Sequence, residues 1–254
     1  MKHTPTTAYV LCGTPRTGST LLCGLLESTG VAGRPHSYFR KPDLDEWAAA
    51  WDIPRTPHGH FTFADYLRGA IAAGRSANGV FAVRIMWGTM EEVSSNLRAL
   101  YADHASSDGD LLQRAFGPTR FIYLRRKDSV AQAVSRARAE QTNVWHITDD
   151  ESLVQPAHAP RYDFEQIRSY VREINAHNEA WSEWFGIQGV QPYNVWYEDV
   201  AAAPMQTTHA LLDFLQLDVL PHVHMSASNK RLADSISTAW IAQYHADGQT
   251  HDAP

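Results

Sequence analysis

Tyr9-Val-Leu-Cys-Gly-Thr-Pro-Arg-Thr-Gly-Ser-Thr-Leu-Leu22 decides the fold. Ala8 to Cys12 is an apolar, strand-like stretch. Gly13 to Gly18 is a loop, and a helix starts at Ser19-Thr20. A strand entering a helix through a glycine-bounded loop makes a phosphate cradle, because loop N–H groups and the positive end of the helix converge on an anion. The spacing Gly13-x4-Gly18 matches a Walker loop, but Ser19 stands where the Walker lysine would be. The cation lies inside the loop instead, at Arg16. Such a loop is poorly suited to the β/γ-phosphates of ATP. It suits a ligand whose single 5′-phosphate is joined to another anionic group. The competing reading is a plain strand–turn–helix corner in which Ser19 and Thr20 merely cap the helix.

The stretch Phe121-Ile-Tyr-Leu-Arg-Arg-Lys-Asp-Ser-Val-Ala-Gln-Ala-Val-Ser135 repeats that logic. Arg125, Arg126 and Lys127 fall where the strand stops, and Ser135 lies about two helical turns beyond Asp128. Arginines at a strand's carboxyl end can clamp a phosphate bidentately. Anion sites at two strand ends suit a ligand with two separated anionic groups. A solvated charge run is the alternative.

Further strands are expected at Val80 to Arg84 and Pro192 to Trp196, besides Thr119 to Leu124. Helices are expected over about Thr62 to Gly74, Thr89 to Asp103, Asp128 to Gln141, Phe164 to Phe185, after Pro204, and over Asp234 to Tyr244, with a frayed tail. The section Gly30 to Gly59 holds prolines at 35, 42, 54 and 57 and reads as loop-rich. Alternating strands and helices predict an α/β, P-loop-like, three-layer fold with a central, mainly parallel sheet flanked by helices. Ligands of such folds sit beyond the carboxyl ends of the strands, where the Arg16 loop lies.

At 254 residues and 44% hydrophobic content, one domain over 1–254 is expected, with an acceptor-side insertion at roughly 30–75. A net charge of −6 argues against nucleic acid as partner. Cys12 and Cys23 read as small buried hydrophobes. Neither a long apolar run nor a signal-peptide pattern is present, so a cytoplasmic protein not embedded in a membrane is expected.

Together these segments resemble the sulfotransferases that use 3′-phosphoadenosine 5′-phosphosulfate (PAPS), with the nearest likeness to the bacterial trehalose 2-sulfotransferase-like group. Thr14-Pro-Arg-Thr-Gly-Ser-Thr20 looks like that family's 5′-phosphosulfate loop, and Arg126 with Ser135 like its 3′-phosphate site. Gly30-Val-Ala-Gly-Arg-Pro-His-Ser-Tyr-Phe39 resembles the acceptor-side segment. Val195-Trp-Tyr-Glu-Asp-Val200, Pro204 and Leu211-Leu-Asp-Phe-Leu215 resemble the later strand and helix, and Arg136 to Trp145 is a weaker likeness. The resemblance covers Tyr9 to about Tyr244.

It implies PAPS as co-substrate, no required metal, a hydroxylated carbohydrate or glycolipid-like acceptor, and a homodimer. The 5′ end would be held by Thr14, Pro15, Arg16, Thr17, Gly18, Ser19 and Thr20, with Arg16 steadying charge on the leaving phosphate. Arg126 and Ser135 would hold the 3′-phosphate, and Asn229-Lys230-Arg231 would close over the nucleotide. His36, Ser37, Tyr38, Phe39 and Trp145 would face the acceptor.

The chain departs from the group at the base. Where a glutamate is expected, Ser37 stands, and His36 precedes it. An imidazole titrates in the range a base needs, which makes His36 the candidate, followed by His58 and His60. Glu198 reads as a loop-ordering residue. His58-x-His60 and His222-x-His224 lack Cys or carboxylate partners at ligand spacing, so no metal is expected. Trp47, Trp51 and Trp145 suit a sugar face or the core equally; Trp181 and Trp184 keep helical spacing and suit the core. A nucleotide kinase and a non-catalytic anion-binding protein are the alternative functions.

Overall fold

The computed structural model describes residues 7–145, 159–218 and 235–251. Four strands, β1 (Ala8–Gly13), β2 (Phe81–Met86), β3 (Thr119–Arg125) and β4 (Tyr193–Trp196), pair in the order β2-β1-β3-β4. Every pairing among these four strands is parallel, in line with the expected mainly parallel sheet. The chain leaves β1 for a neighbour on one side and later returns on the other. The crevice this reversal creates lies at the carboxyl end of β1.

The two faces of the sheet alternate along each strand. Val10, Cys12, Val83, Ile85, Phe121 and Tyr123 enter one core with α3 (Phe63–Gly74), α4 (Trp87–Tyr101), α5 (Asp108–Phe116) and α7 (Phe164–Ile187). Tyr9, Leu11, Ala82, Ile122, Leu124 and Val195 enter the other with α1 (Ser19–Ser28), α8 (Tyr197–Ala202) and α9 (Pro204–Leu215). Three layers follow, because a parallel strand buried on both faces has no side left for water. A third cluster joins α6 (Ser129–Thr142), α7 and α10 (Ser235–His251) through Val134, Ile174 and Trp240. Cys12 and Cys23 are free thiols and are buried on opposite faces of the sheet.

Several expectations need correction. The loop-rich section carries a helix, α2 (Leu44–Ala50), after a 3-10 turn at Lys41–Asp43. Helix α5 has no counterpart among the expected elements, although Ser107 caps it and Leu111, Leu112 and Phe116 are buried. Instead of fraying after Tyr244, the last helix runs on to His251. No helix among the described residues is long and apolar enough to cross a membrane.

Candidate functional site

The loop at the end of β1 is fixed from three sides. The Trp181 indole of α7 donates to the Gly13 carbonyl at 2.9 Å. Gln132 of α6 donates to the Thr14 hydroxyl at 2.8 Å and to the Pro15 carbonyl at 2.6 Å. Thr17 donates to the Thr14 carbonyl at 2.9 Å, and both threonines are fully buried. Two glycines are obligatory. A Cβ on Gly13 would stand 2.9 Å from the Leu124 carbonyl oxygen, and one on Gly18, at φ 78°, would stand 2.2 Å from Cδ2 of Tyr197.

The capping alternative for Ser19 and Thr20 is not what the structure holds. Thr62, Ser107, Asp128 and Asp163 cap their helices with a side-chain oxygen, whereas α1 opens on Gly18 with no side-chain cap. The first-turn N–H groups of α1 therefore keep their donor capacity for an anion. The Ser19 and Thr20 hydroxyls instead accept from Nη1 of Arg84, at 3.2 and 3.3 Å.

Arg16 adopts left-handed backbone, φ 67°. Its Nε donates to the Ser135 hydroxyl at 3.0 Å and its Nη1 to the Trp145 carbonyl. Burial, and then the neighbouring Arg126 cation, pull the guanidinium down to about 10, so it is still charged at neutral pH. Arg126 lies over the Tyr197 ring, 4.9 Å from its centroid. Arg16 of the first expected anion site thus stands together with Ser135 and Arg126 of the second. Glu198 accepts from the Lys127 N–H through both carboxylate oxygens at 3.1 Å, as a loop-ordering residue would.

On the other side of α1, the segment around His36 runs beside the outer edge of β2. His36 bridges Val83 in parallel, and its carbonyl accepts from the Arg84 N–H at 3.0 Å. Arg84 Nε donates to the Ser37 hydroxyl at 2.8 Å. One guanidinium therefore ties Ser19 and Thr20, at the start of α1, to Ser37. Glu27 of α1 lies 3.1 Å from Nε2 of His36.

The aromatic neighbours expected beside the acceptor divide. Tyr38 and Phe39 are 1% and 4% exposed and belong to the core. The Tyr38 hydroxyl donates to the Arg34 carbonyl, and Phe39 packs on Phe63, Tyr66 and Phe116. Their rings anchor the segment instead of lining a pocket. Trp47 is half-buried, stacked on Trp51, with the His36 ring 6.2 Å away. Trp145 reaches the site through its carbonyl, while its indole donates to Asn143 at 3.2 Å. His58 and His60 are exposed on a turn. Lys230, Arg231, His222 and His224 lie outside the described residues. Among the described residues no group of three or more His, Cys, Asp or Glu stands where it could hold a metal.

Arg84, Gln132, Glu27 and Tyr197 are absent from the candidates that the sequence supplies. Arg84 alone left a usable signal, as a charge at the carboxyl end of an apolar strand.

A parallel sheet flanked by helices, with a glycine-bounded loop carrying Arg16 after its first strand, defines an α/β protein of the P-loop-like class. The chain belongs to the Stf0 sulphotransferase family, whose family model matches residues 8–247. It is 29% identical to trehalose 2-sulfotransferase of Mycolicibacterium smegmatis over 98% of both chains. It is 28% identical to trehalose 2-sulfotransferase of Mycobacterium tuberculosis over 94% of both. Among solved structures it is similar to the sulfotransferase domain from the curacin biosynthetic pathway (TM-score 0.48, 14% identity, 94% of this chain and 83% of that one). It is likewise similar to a sulfotransferase from Alicyclobacillus acidocaldarius (TM-score 0.44, 16% identity, 99% and 98%).

Proposed function

We propose that this sulfotransferase moves a sulfuryl group from PAPS to a hydroxyl of a carbohydrate or glycolipid-like acceptor. The observation that carries the reading is the Arg84 bridge: one side chain joins Ser19 and Thr20 of the phosphate loop to Ser37 of the acceptor-side segment. The residues fit the donor. Arg16 is a partly buried cation whose hydrogen bonds go to a hydroxyl and a carbonyl, with a second cation, Arg126, beside it. A dianionic ligand end complements these two neighbouring cations.

In this reading the loop N–H groups, Arg16, Ser19 and Thr20 hold the 5′ end, and Arg126 with Ser135 holds the 3′-phosphate. PAPS supplies an activated sulfuryl group on a phosphate leaving group. Arg16 stabilises the charge that collects on that phosphate, an effect realised mainly in the transition state. His36 takes the proton of the acceptor hydroxyl. Tyr38 and Phe39 hold the segment at 30–75 against the core, and the half-buried Trp47 ring offers a flat face to a sugar. The same reading has the chain act as a cytoplasmic homodimer, which sedimentation would show as about twice 28.4 kDa.

Two measurements test it. Calorimetric titration should show binding of adenosine 3′,5′-bisphosphate well above that of ATP. Labelled donor incubated with trehalose, other disaccharides and glycolipid extracts should transfer label to at least one of them. Binding of the bisphosphate without transfer to any saccharide would refute the acceptor class; preference for ATP would refute the donor.

A further inference from the structure

Glu27 closes the last turn of α1, eight residues from Ser19 and on the same helix face as Ser19 and Cys23. A carboxylate is of no use to an anion-binding loop. Its Oε2 nevertheless lies 3.1 Å from Nε2 of His36, while Oε1 is 3.7 Å from Nε of Arg34. The shorter contact is to the imidazole.

His36 is placed by more than this contact. Its backbone N–H donates to the Arg34 carbonyl at 2.9 Å, and its carbonyl accepts from Arg84 at 3.0 Å. The Tyr38 ring meets the imidazole edge-on at 5.8 Å, and Trp47 lies at 6.2 Å. The side chains of His36 and Glu27 are 43% and 39% exposed, so the pair opens to solvent-accessible space rather than the core. A contact of that exposure contributes little to stability, which leaves orientation as its effect.

We propose that Glu27 is the positioning residue for His36: its carboxylate holds the ring proton on Nε2 and leaves the lone pair on Nδ1 to receive a proton. The inference rests on His36 being the base. A carboxylate accepts a hydrogen bond only from a protonated ring nitrogen, and in a neutral imidazole the other nitrogen is then the acceptor. As the acceptor oxygen bonds to sulfur, its O–H bond breaks and the proton goes to Nδ1. The sulfur–oxygen bond to the 5′-phosphate breaks with its electron pair on the phosphate. The imidazolium formed is held against the Glu27 carboxylate until the proton leaves to water.

The test combines a spectroscopic and a kinetic readout on the full chain. Long-range ¹⁵N–¹H correlation of ¹⁵N-histidine-labelled protein, with His36 assigned from His36→Ala, should show the Nε2–H form. In Glu27→Leu that ring should become a mixture of both tautomers. Glu27→Gln, which keeps the shape but not the charge, should lower kcat by about 10–100-fold with the acceptor KM and the affinity for adenosine 3′,5′-bisphosphate unchanged. Glu27→Gln should cost little further in a His36→Ala background. An Nδ1–H ring in the wild type overturns the role of Glu27, and so does an unchanged kcat in Glu27→Gln when His36→Ala is impaired. Full activity of His36→Ala overturns instead the assignment of the base on which this role depends.

Discussion

Replacing Arg16 separates what the loop costs the fold from what it contributes to the reaction. Arg16→Ala and Arg16→Gly delete the same side chain and hence the same bonds to Ser135 and the Trp145 carbonyl. Two charge-assisted bonds at the low end of their range are worth about 3 kcal/mol. The burial and the Arg126 cation that pull the guanidinium down to about 10 disfavour its charged form by about 3 kcal/mol at neutral pH. Arginine is fully protonated well below that value in folded and unfolded chains alike, so that penalty is present across neutral pH and fades only above about pH 10. The two contributions nearly cancel, and they are common to both variants. The difference lies in the backbone at φ 67°. A Cβ there costs about 1–2 kcal/mol, offset by about 0.5–1 kcal/mol of extra unfolded-state freedom for glycine. Arg16→Gly should therefore be more stable than Arg16→Ala by about 0.5–1 kcal/mol, or about 1–4 °C in Tm. It should lie within about 1 kcal/mol of the wild type. Both should lose turnover by about 10²–10³-fold. Scanning calorimetry and single-turnover kinetics measure the two effects separately. An alanine variant that melts at or above the glycine variant would refute the strain argument.

Gly18→Ala should cost about 2–4 kcal/mol and lower Tm by several degrees, because its Cβ meets Tyr197 at 2.2 Å in left-handed backbone. Thermal unfolding of Gly18→Ala with and without Tyr197→Ala checks this, and an unrelieved loss in the pair would point to the backbone alone. Arg84→Ala should lower kcat/KM by about 10–100-fold, the value of one or two charge-assisted bonds. Steady-state rates equal to wild type would remove the bridge from the reaction. Arg126→Ala should weaken adenosine 3′,5′-bisphosphate by about 10–100-fold and adenosine 5′-phosphate far less. Equal weakening in calorimetry would remove the 3′-phosphate assignment.

The strand–loop–helix at the N-terminus and the Arg-rich end of β3 were legible because their signals are local: a run of apolar residues, bounding glycines, a clustered charge. Helix α5 escaped because it is short and its apolar residues, Leu111, Leu112 and Phe116, span less than two turns. Helix α2 lay hidden between prolines. Tyr38 and Phe39 looked like pocket aromatics because burial is decided by α3 and α5, far along the chain. Arg84, Gln132 and Glu27 act across separations of 65, 118 and 9 residues, on Ser19, Thr14 and His36, and no spacing within a motif encodes such contacts.

The two thiols carry a practical consequence. Cys12 sits in the strand that feeds the phosphate loop and Cys23 in the helix that leaves it, 1% and 4% exposed. Burial holds both thiols up, Cys23 at about 11 despite the nearby Arg84, so neither is a nucleophile in the closed protein. Alkylation must wait for β1 or α1 to open, and under weak-labelling conditions its rate reports the free energy of that opening. The chain thus carries its own clock for the cradle, one probe on either face of the sheet. Slowing of both thiols by a nucleotide would measure how much of the ligand's binding energy goes into closing the strand and the helix that grip it.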